Sequence, residues 1–332
     1  MIWGYPLNSH THSFVHYGWY KGFKALGYDT YWFHNEDYPA YFDFTHCLFI
    51  TEGYADQQIP LHASNIYLVH VAVKPKKYLD SGARFIDLRY NVLHIKDCNY
   101  IYNLSTKDLK AISSVTLYEK QSTDRDLNPQ WRHYSPLQYE AIYTAWATDL
   151  LPDEINFEDR FIEPNAPPVT YFIGSIGGGN QKDVHLFATD CSKHGIQFIH
   201  HNPWQHALTF EESKHLVQKS CVCPDIRGSG DPEKMRMGET GTCHKLIGYI
   251  PCRLFKNISY GKLGMTNCPR LKEMFGQQVL LETDESNMVE SYLKHSKDKN
   301  FILQQMVWVK EHHTYLNRIQ DLLTILNDSI HS

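Results

Sequence analysis

No stretch of about 18 uninterrupted apolar residues occurs in this 332-residue chain, which argues against a membrane-spanning helix. The opening residues MIWGYPLNSHTHSFVHYGWY contain no basic segment followed by a continuous apolar one, so no secretory leader is expected and the expected location is the cytoplasm. Basic residues are not in excess either. With 32 Lys and Arg against 37 Asp and Glu, the formal net charge is −5, which argues against a general nucleic-acid binder, since that needs clustered cations on one face, and leaves room for local basic pockets. CxxC pairs are missing, and the eight cysteines follow no disulfide spacing. Reduced thiols are therefore expected, with no structural zinc site. A GxGxxG fingerprint at its required spacing is also missing, as is an acidic residue about twenty positions after the main glycine cluster, which disfavours a dinucleotide dehydrogenase.

What is present is an α/β rhythm rich in aromatics, which make up 14% of the chain. A strand at 2–5, a polar loop and a helix bearing Phe14, Tyr17, Phe23 and Leu26 begin a βαβ pattern. Strands are expected at 46–51, 65–72, 83–89 and 99–104. The acidic, proline-containing segment 151–168 reads as a linker. Beyond it the rhythm resumes with strands at 169–173, IQFIHH, SCVCP, IPCRLF and QVLLET, helices at about 181–194 and 210–219, and terminal helices at 285–296 and 301–327. The fold expected is two Rossmann-like domains, residues 1–163 and 164–332, with the last helix able to cross back to the first. Such halves bind ligands at the carboxyl ends of their strands, here in a central cleft.

Two constellations stand out in the second half. GSIGGGN, with Gly174, Ser175, Gly177 and Gly178, joins a strand to a helix. It suits either a backbone N–H cradle for a phosphate or a tight turn without a ligand. Residues 224–267 carry Arg227, Lys234, Arg236, Lys245, Arg253 and Lys256 among Gly, Ser and Thr, suited either to an anionic ligand or to a solvated face. Asn202 ends the strand IQFIHH near the same edge. In the first half, His10 and His12 in NSHTHS follow the first strand and supply candidate general bases, with Glu52 in FITEGY as the rival carboxylate. The single Asp-x-Asp, Asp124 to Asp126, falls in a polar loop, a poor place for a metal motif.

The run HKLIGYIPCRLFKNISYGKLGMTNCPRL, followed by VKEHHTYLNRIQDLLTIL, resembles the donor-binding half of group-1-type glycosyltransferases, particularly the spore-maturation-related branch. Gly248, Thr266, Asn267, His313, Thr314, Tyr315 and Arg318 stand at the matching places, and YEAIYTAWATDLLPDEI resembles that family's domain-crossing segment. The resemblance extends from about Gln138 onward, whereas residues 1–135 share only the α/β rhythm. It implies a GT-B architecture and transfer of a sugar from a UDP- or GDP-sugar to a hydroxyl of a glycan or glycosylated acceptor. It also implies no metal or other cofactor, with basic side chains neutralising the departing diphosphate. The donor-binding candidates, from the glycine loop, the cationic segment and the resembling run together, are Gly174, Ser175, Gly177, Gly178, Asn202, Arg227, Arg236, Lys245, Lys256, Ser259, Tyr260 and Gly261. The family's ribose-holding Glu is missing from CHKLIG, leaving Glu239 upstream as the candidate. Two other readings fit the same pattern: a non-catalytic two-lobe sugar or nucleotide binder, and a two-lobe nucleotide-sugar epimerase.

Overall fold

The computed structural model describes residues 1–9, 11–90, 109–123, 138–177, 179–237, 243–247 and 249–328. The strand expected at 99–104, the Asp124/Asp126 pair, His10, Gly178, Glu239 and Gly248 lie outside the described residues. The chain forms two compact units, Met1–Ala145 with Tyr315–Ser332, and Trp146–Thr314. The segment read as a linker thus falls within the second unit. Prolines and acidic residues there build two 3-10 turns, Pro152–Glu154 and Phe157–Phe161. Asp159 anchors the second of these by accepting from Gln218 Nε2 at 2.9 Å and pairing with Lys214 at 3.0 Å.

In the first unit, β1 (Ile2–Trp3), α1 (Thr11–Ala25), β2 (Trp32–Phe33), β3 (Leu48–Glu52), β4 (Ile66–His70), α2 (Pro75–Asp80) and β5 (Arg84–Arg89) are followed by β6 (Leu109–Ser113), β7 (Thr116–Thr123) and β8 (Gln138–Thr144). They build an eight-stranded sheet of order β2-β1-β3-β4-β5-β8-β7-β6, parallel from β2 to β8 and antiparallel across β7 and β6. The central strands LFITE and IYLVH are short, apolar and nearly without polar alternation, as strands covered on both faces are. On one face Phe49, Tyr67, Tyr78 and Phe85 form a stack with centroids 4.8 to 5.4 Å apart. Full burial of each large apolar side chain stabilises the unit by roughly 1.5–3 kcal/mol.

The second unit contains β9 (Val169–Ile173), α3 (Gln181–Lys193), β10 (Gln197–His201), α4 (Phe210–Lys219), α5 (Pro232–Arg236), α6 (His244–Ile247), α7 (Cys252–Ser259), β11 (Met265–Thr266), α8 (Pro269–Phe275), β12 (Leu280–Leu281), α9 (Met288–His295) and α10 (Lys299–His312). β9 pairs with β10 and β11 with β12, both in parallel. The last helix, α11 (Tyr315–Asp328), belongs to the first unit.

Three expectations are corrected. SCVCP is not a strand. It runs beside β9, but the Ser220 and Thr170 hydroxyls take the places of ladder groups, bonding the N–H of Tyr171 and of Val222, and only Cys221 N–H reaches a β9 carbonyl, that of Val169. IPCRLF forms the start of α7 rather than a strand. Pro251 stands at its N-cap, and Leu254, Phe255 and Ile258 share one buried helical face, a pattern too short to separate from a strand by period. The helix expected over 301–327 is two helices, because His313 leaves helical geometry at φ −132° while its carbonyl accepts from Thr148 N–H at 3.0 Å. The His313 ring stacks on Phe255 at 4.3 Å.

α11 lies close to α1. A Cβ at Gly18 would come within 2.1 Å of the Tyr315 ring, so glycine is what permits the approach. Arg318, buried on α11, donates from Nε to the Ala145 carbonyl at 2.9 Å, and its burial lowers the guanidinium pKa to about 10, against the opposing charge of Asp321.

Candidate functional site

In the first unit, the chain leaves β1 toward β2 on one side and later returns to β3 on the other. The strand order therefore reverses between β1 and β3, and parallel sheets hold ligands outside the carboxyl ends of such a pair. Three side chains meet at that point. His12 lies in the first turn of α1, Glu52 ends β3, and His70 ends β4 opposite Glu52 in register. Glu52 is buried and its Oε2 meets His12 Nδ1 in a short contact, while the His12 side chain keeps 23% of its surface exposed. The Tyr5 hydroxyl also bonds Glu52. Its pKa is raised first by burial and then by that carboxylate's charge, so it stays a neutral donor.

The His70 ring lies 5.1 Å from that of His12 and 4.4 Å from that of Tyr90. Loss of water around it, then the neighbouring His12 and His16, push its pKa well below the ordinary histidine value. Burial similarly takes His16 down to about 3. Both are neutral at neutral pH. Gly53 keeps the ends of β3 and β4 in register, since its N–H donates to the His70 carbonyl at 2.9 Å and a Cβ there would meet the Val71 carbonyl at 2.0 Å. Of the base candidates, His12 and Glu52 are thus partners rather than rivals. A carboxylate on Nδ1 selects the tautomer with its lone pair on Nε2, the arrangement of an oriented general base.

In the second unit the glycine loop, the loop after β10 and the segment 226–231 converge at the carboxyl ends of β9 and β10. Gly174 has φ +149°, and a Cβ there would lie 2.3 Å from Arg253 Nη2. Glycine seats the Arg253 guanidinium, which donates to the Ile173 carbonyl at 2.8 Å and lies over the Phe172 ring at 4.0 Å. The Gly174 carbonyl pairs with His200 Nε2 at 2.7 Å. Gly228 packs so tightly on the Gly179 carbonyl that a Cβ would come within 2.0 Å of it, whereas at Gly177, among the described residues and apart from its chain neighbours, no atom lies within 4 Å of a Cβ position. Gly228→Ala is therefore expected to destabilise the protein by more than about 1 kcal/mol, whereas Gly177→Ala leaves stability within about 0.5 kcal/mol of the parent. Urea denaturation followed by circular dichroism measures both; a Gly177→Ala loss as large as that of Gly228→Ala contradicts the packing described.

Arg227 is 4% exposed, and its Nη2 lies 2.7 Å from Asp225 Oδ1 while its Nε is buried without a hydrogen-bond partner. Asp225 also accepts from the Thr266 hydroxyl at 3.0 Å. Burial, then the positive charge of Arg227, bring Arg253 down to about 10, while Asp225 works in the opposite direction. The same pair of causes takes His244 down to about 4. Of two guanidinium groups close enough to influence one another, Arg227 pairs with the carboxylate and Arg253 bonds a backbone carbonyl, an excess of positive charge that attracts an anion. Asn267 braces the site, taking Arg227 N–H at 2.6 Å and donating to the Arg227 carbonyl at 3.0 Å.

The remaining donor candidates separate by location. Ser175 Oγ accepts from Trp204 Nε1 at 2.9 Å, and Asn202 Oδ1 accepts from Trp204 N–H at 3.1 Å, so these two stand beside Gly174. Lys245 lies between Asp183 at 2.9 Å and Glu285 at 2.6 Å. Burial pulls its pKa down, but those bonds outweigh it and the net shift is upward. Lys256, Ser259, Tyr260 and Gly261 brace the 148–160 segment. Lys256 lies 3.6 Å from Asp149, the Tyr260 hydroxyl donates to Asp149 at 2.7 Å, Ser259 pairs with Thr148 at 2.7 Å, and a Cβ at Gly261 would clash with the backbone of Asp159 and Arg160. Arg236 donates from Nε to Pro232 within its own short helix. Sequence reasoning did not single out His70 or Trp204, and it counted Arg253 in the cationic segment without naming it as a donor contact. The usable signals were a strand-end position for His70 and a place in the loop just after a strand for Trp204; the Arg253 contacts with Phe172 and Ile173, some eighty residues away, have no local signature.

Among the described residues no group of three or more His, Cys, Asp and Glu side chains is arranged to hold a metal ion, and no helix is long and apolar enough to cross a membrane. Comparison with known families, characterised proteins and solved structures returns no match.

Proposed function

We propose that the protein transfers a glycosyl group from a nucleoside diphosphate sugar to a hydroxyl of a glycan or glycosylated acceptor, with the GT-B arrangement that the family resemblance implies. The observation that carries this reading is the His12–Glu52 pair at the strand-order reversal of the first unit. His12 Nε2 accepts the hydroxyl proton as the acceptor oxygen bonds the anomeric carbon. The bond from that carbon to the diphosphate oxygen breaks, and its electron pair leaves with the diphosphate. Glu52 holds the imidazole in the required tautomer and stabilises the imidazolium. Arg227 and Arg253 are suited to the departing charge, taking the part that a divalent cation plays elsewhere. The location proposed is the cytoplasm, in keeping with cysteines that follow no disulfide spacing in the sequence.

A thermal-shift panel of UDP, GDP, CMP and dTDP tests the reading. The matching nucleotide at 100 times its dissociation constant should stabilise the fold by about 2.7 kcal/mol, and the others much less. No shift with any of them counts against the donor class. Turnover is also expected to survive excess EDTA, because the cations that neutralise the leaving group belong to the chain. Full loss on chelation with recovery on Mn²⁺ would contradict that assignment.

A further inference from the structure

Trp204 is a large apolar side chain left 59% exposed at the carboxyl end of β10. It is nonetheless held in place at two points. Its indole Nε1 donates to Ser175 Oγ at 2.9 Å, and its backbone N–H donates to Asn202 Oδ1 at 3.1 Å. Ser175 is in turn braced, because Asn180 Nδ2 donates to its carbonyl at 3.1 Å while Asn180 Oδ1 accepts from Gly177 N–H at 2.9 Å. An exposed indole ordinarily gains little from being fixed, since ordering a side chain costs entropy without burying area. Here two hydrogen bonds, one from the indole and one from the backbone, fix it beside the glycine loop.

That loop joins the indole to the arginine pair. Ile173, whose carbonyl receives Arg253 Nη2, and Ser175, whose hydroxyl receives the indole, are separated by one residue, so their Cα atoms lie no more than about 7 Å apart. At Gly177 the space beside the backbone is open. A buried cationic site and a fixed aromatic plane are thus attached two residues apart, where β9 runs into its loop. A ligand that satisfies both has a strongly anionic part and a flat π face within one small molecule. A nucleotide has both, with base on indole and phosphate on guanidinium.

We propose that Trp204 is the stacking platform for the base of a nucleoside diphosphate whose phosphates are held at Arg227 and Arg253. The proposal rests on the donor reading above and deepens it by assigning the base and phosphate subsites to named residues. Stacking accepts every base, so base identity is selected by groups other than the indole.

The test is calorimetric titration of the full-length protein with UDP, with GDP and with inorganic diphosphate. It uses the parent, Trp204→Ala and Trp204→Phe, with circular dichroism as the control for folding. Trp204→Ala should weaken the nucleoside diphosphate that binds by roughly tenfold or more, Trp204→Phe should restore most of that loss, and inorganic diphosphate should bind all three proteins alike. Unchanged nucleotide affinity in Trp204→Ala overturns the platform while leaving the donor reading intact. An equal loss for inorganic diphosphate overturns it too, since the indole would then only support the loop. Failure of the parent to bind UDP or GDP, with CMP and dTDP equally without effect in the thermal-shift panel, overturns both readings together.

Discussion

His12→Ala is expected to lower glycosyl-transfer turnover by about 10²- to 10⁴-fold while leaving the dissociation constant of the donor nucleotide within about twofold of the parent. The loss falls on turnover because His12 is placed to accept a proton, whereas the groups suited to the donor phosphates belong to the second unit. Glu52→Gln should produce a loss in the same direction. The amide keeps the size of the side chain, yet it offers no charge to the imidazolium and fixes the tautomer less strongly. Because the two residues form one pair, the double variant should be little worse than the more damaging single one, as groups acting together are not additive. Rapid-quench measurement of a single turnover separates this from product release. Additive losses would mean that the two side chains work independently, contrary to their contact.

Arg227→Met should destabilise the protein by roughly 3–5 kcal/mol and weaken donor binding as well. The change removes the bonded partner of a buried ion pair, leaving buried Asp225 with only the more distant charge of Arg253. Arg253→Met differs in kind. That guanidinium bonds a backbone carbonyl and a ring face, so its loss is expected to leave the fold near parental stability while reducing donor affinity by roughly 1.5–3 kcal/mol. Chemical denaturation and calorimetry on the same samples distinguish the two. If Arg227→Met unfolds no more easily than Arg253→Met, the Asp225–Arg227 pair is not the buried pair described.

The regular parts of the chain were legible where local signals agreed. The unit from β9 through α4 combines a β-rich run, a glycine loop, an amphipathic helix and a capping box at Thr209 with Glu212, and its boundaries follow the sequence closely. Segments 220–224 and 250–255 were not legible because each is short and apolar. Their conformations depend on the Ser220 and Thr170 hydroxyls in one case and on Pro251 in the other. At the candidate site, strand-end positions pointed to His12 and Glu52 separately. Their contact depends on β1 and β3 being neighbours, a tertiary fact with no local signature. The cations show the same limit. Lys245 and Arg253 look alike in sequence, yet one lies between Asp183 and Glu285 while the other bonds only a backbone carbonyl and faces an aromatic ring among the contacts described.

The most direct test of the account is nucleotide release from UDP-, GDP-, CMP- and dTDP-sugars, with and without simple glycoside acceptors, by the parent protein and by His12→Ala. The account predicts release from one nucleotide class by the parent, faster with a suitable acceptor, and a rate at least about 100-fold lower in a His12→Ala protein that still binds that nucleotide. A parent that binds the nucleotide but never releases it from its sugar, or a His12→Ala protein that turns over at the parental rate, contradicts the account.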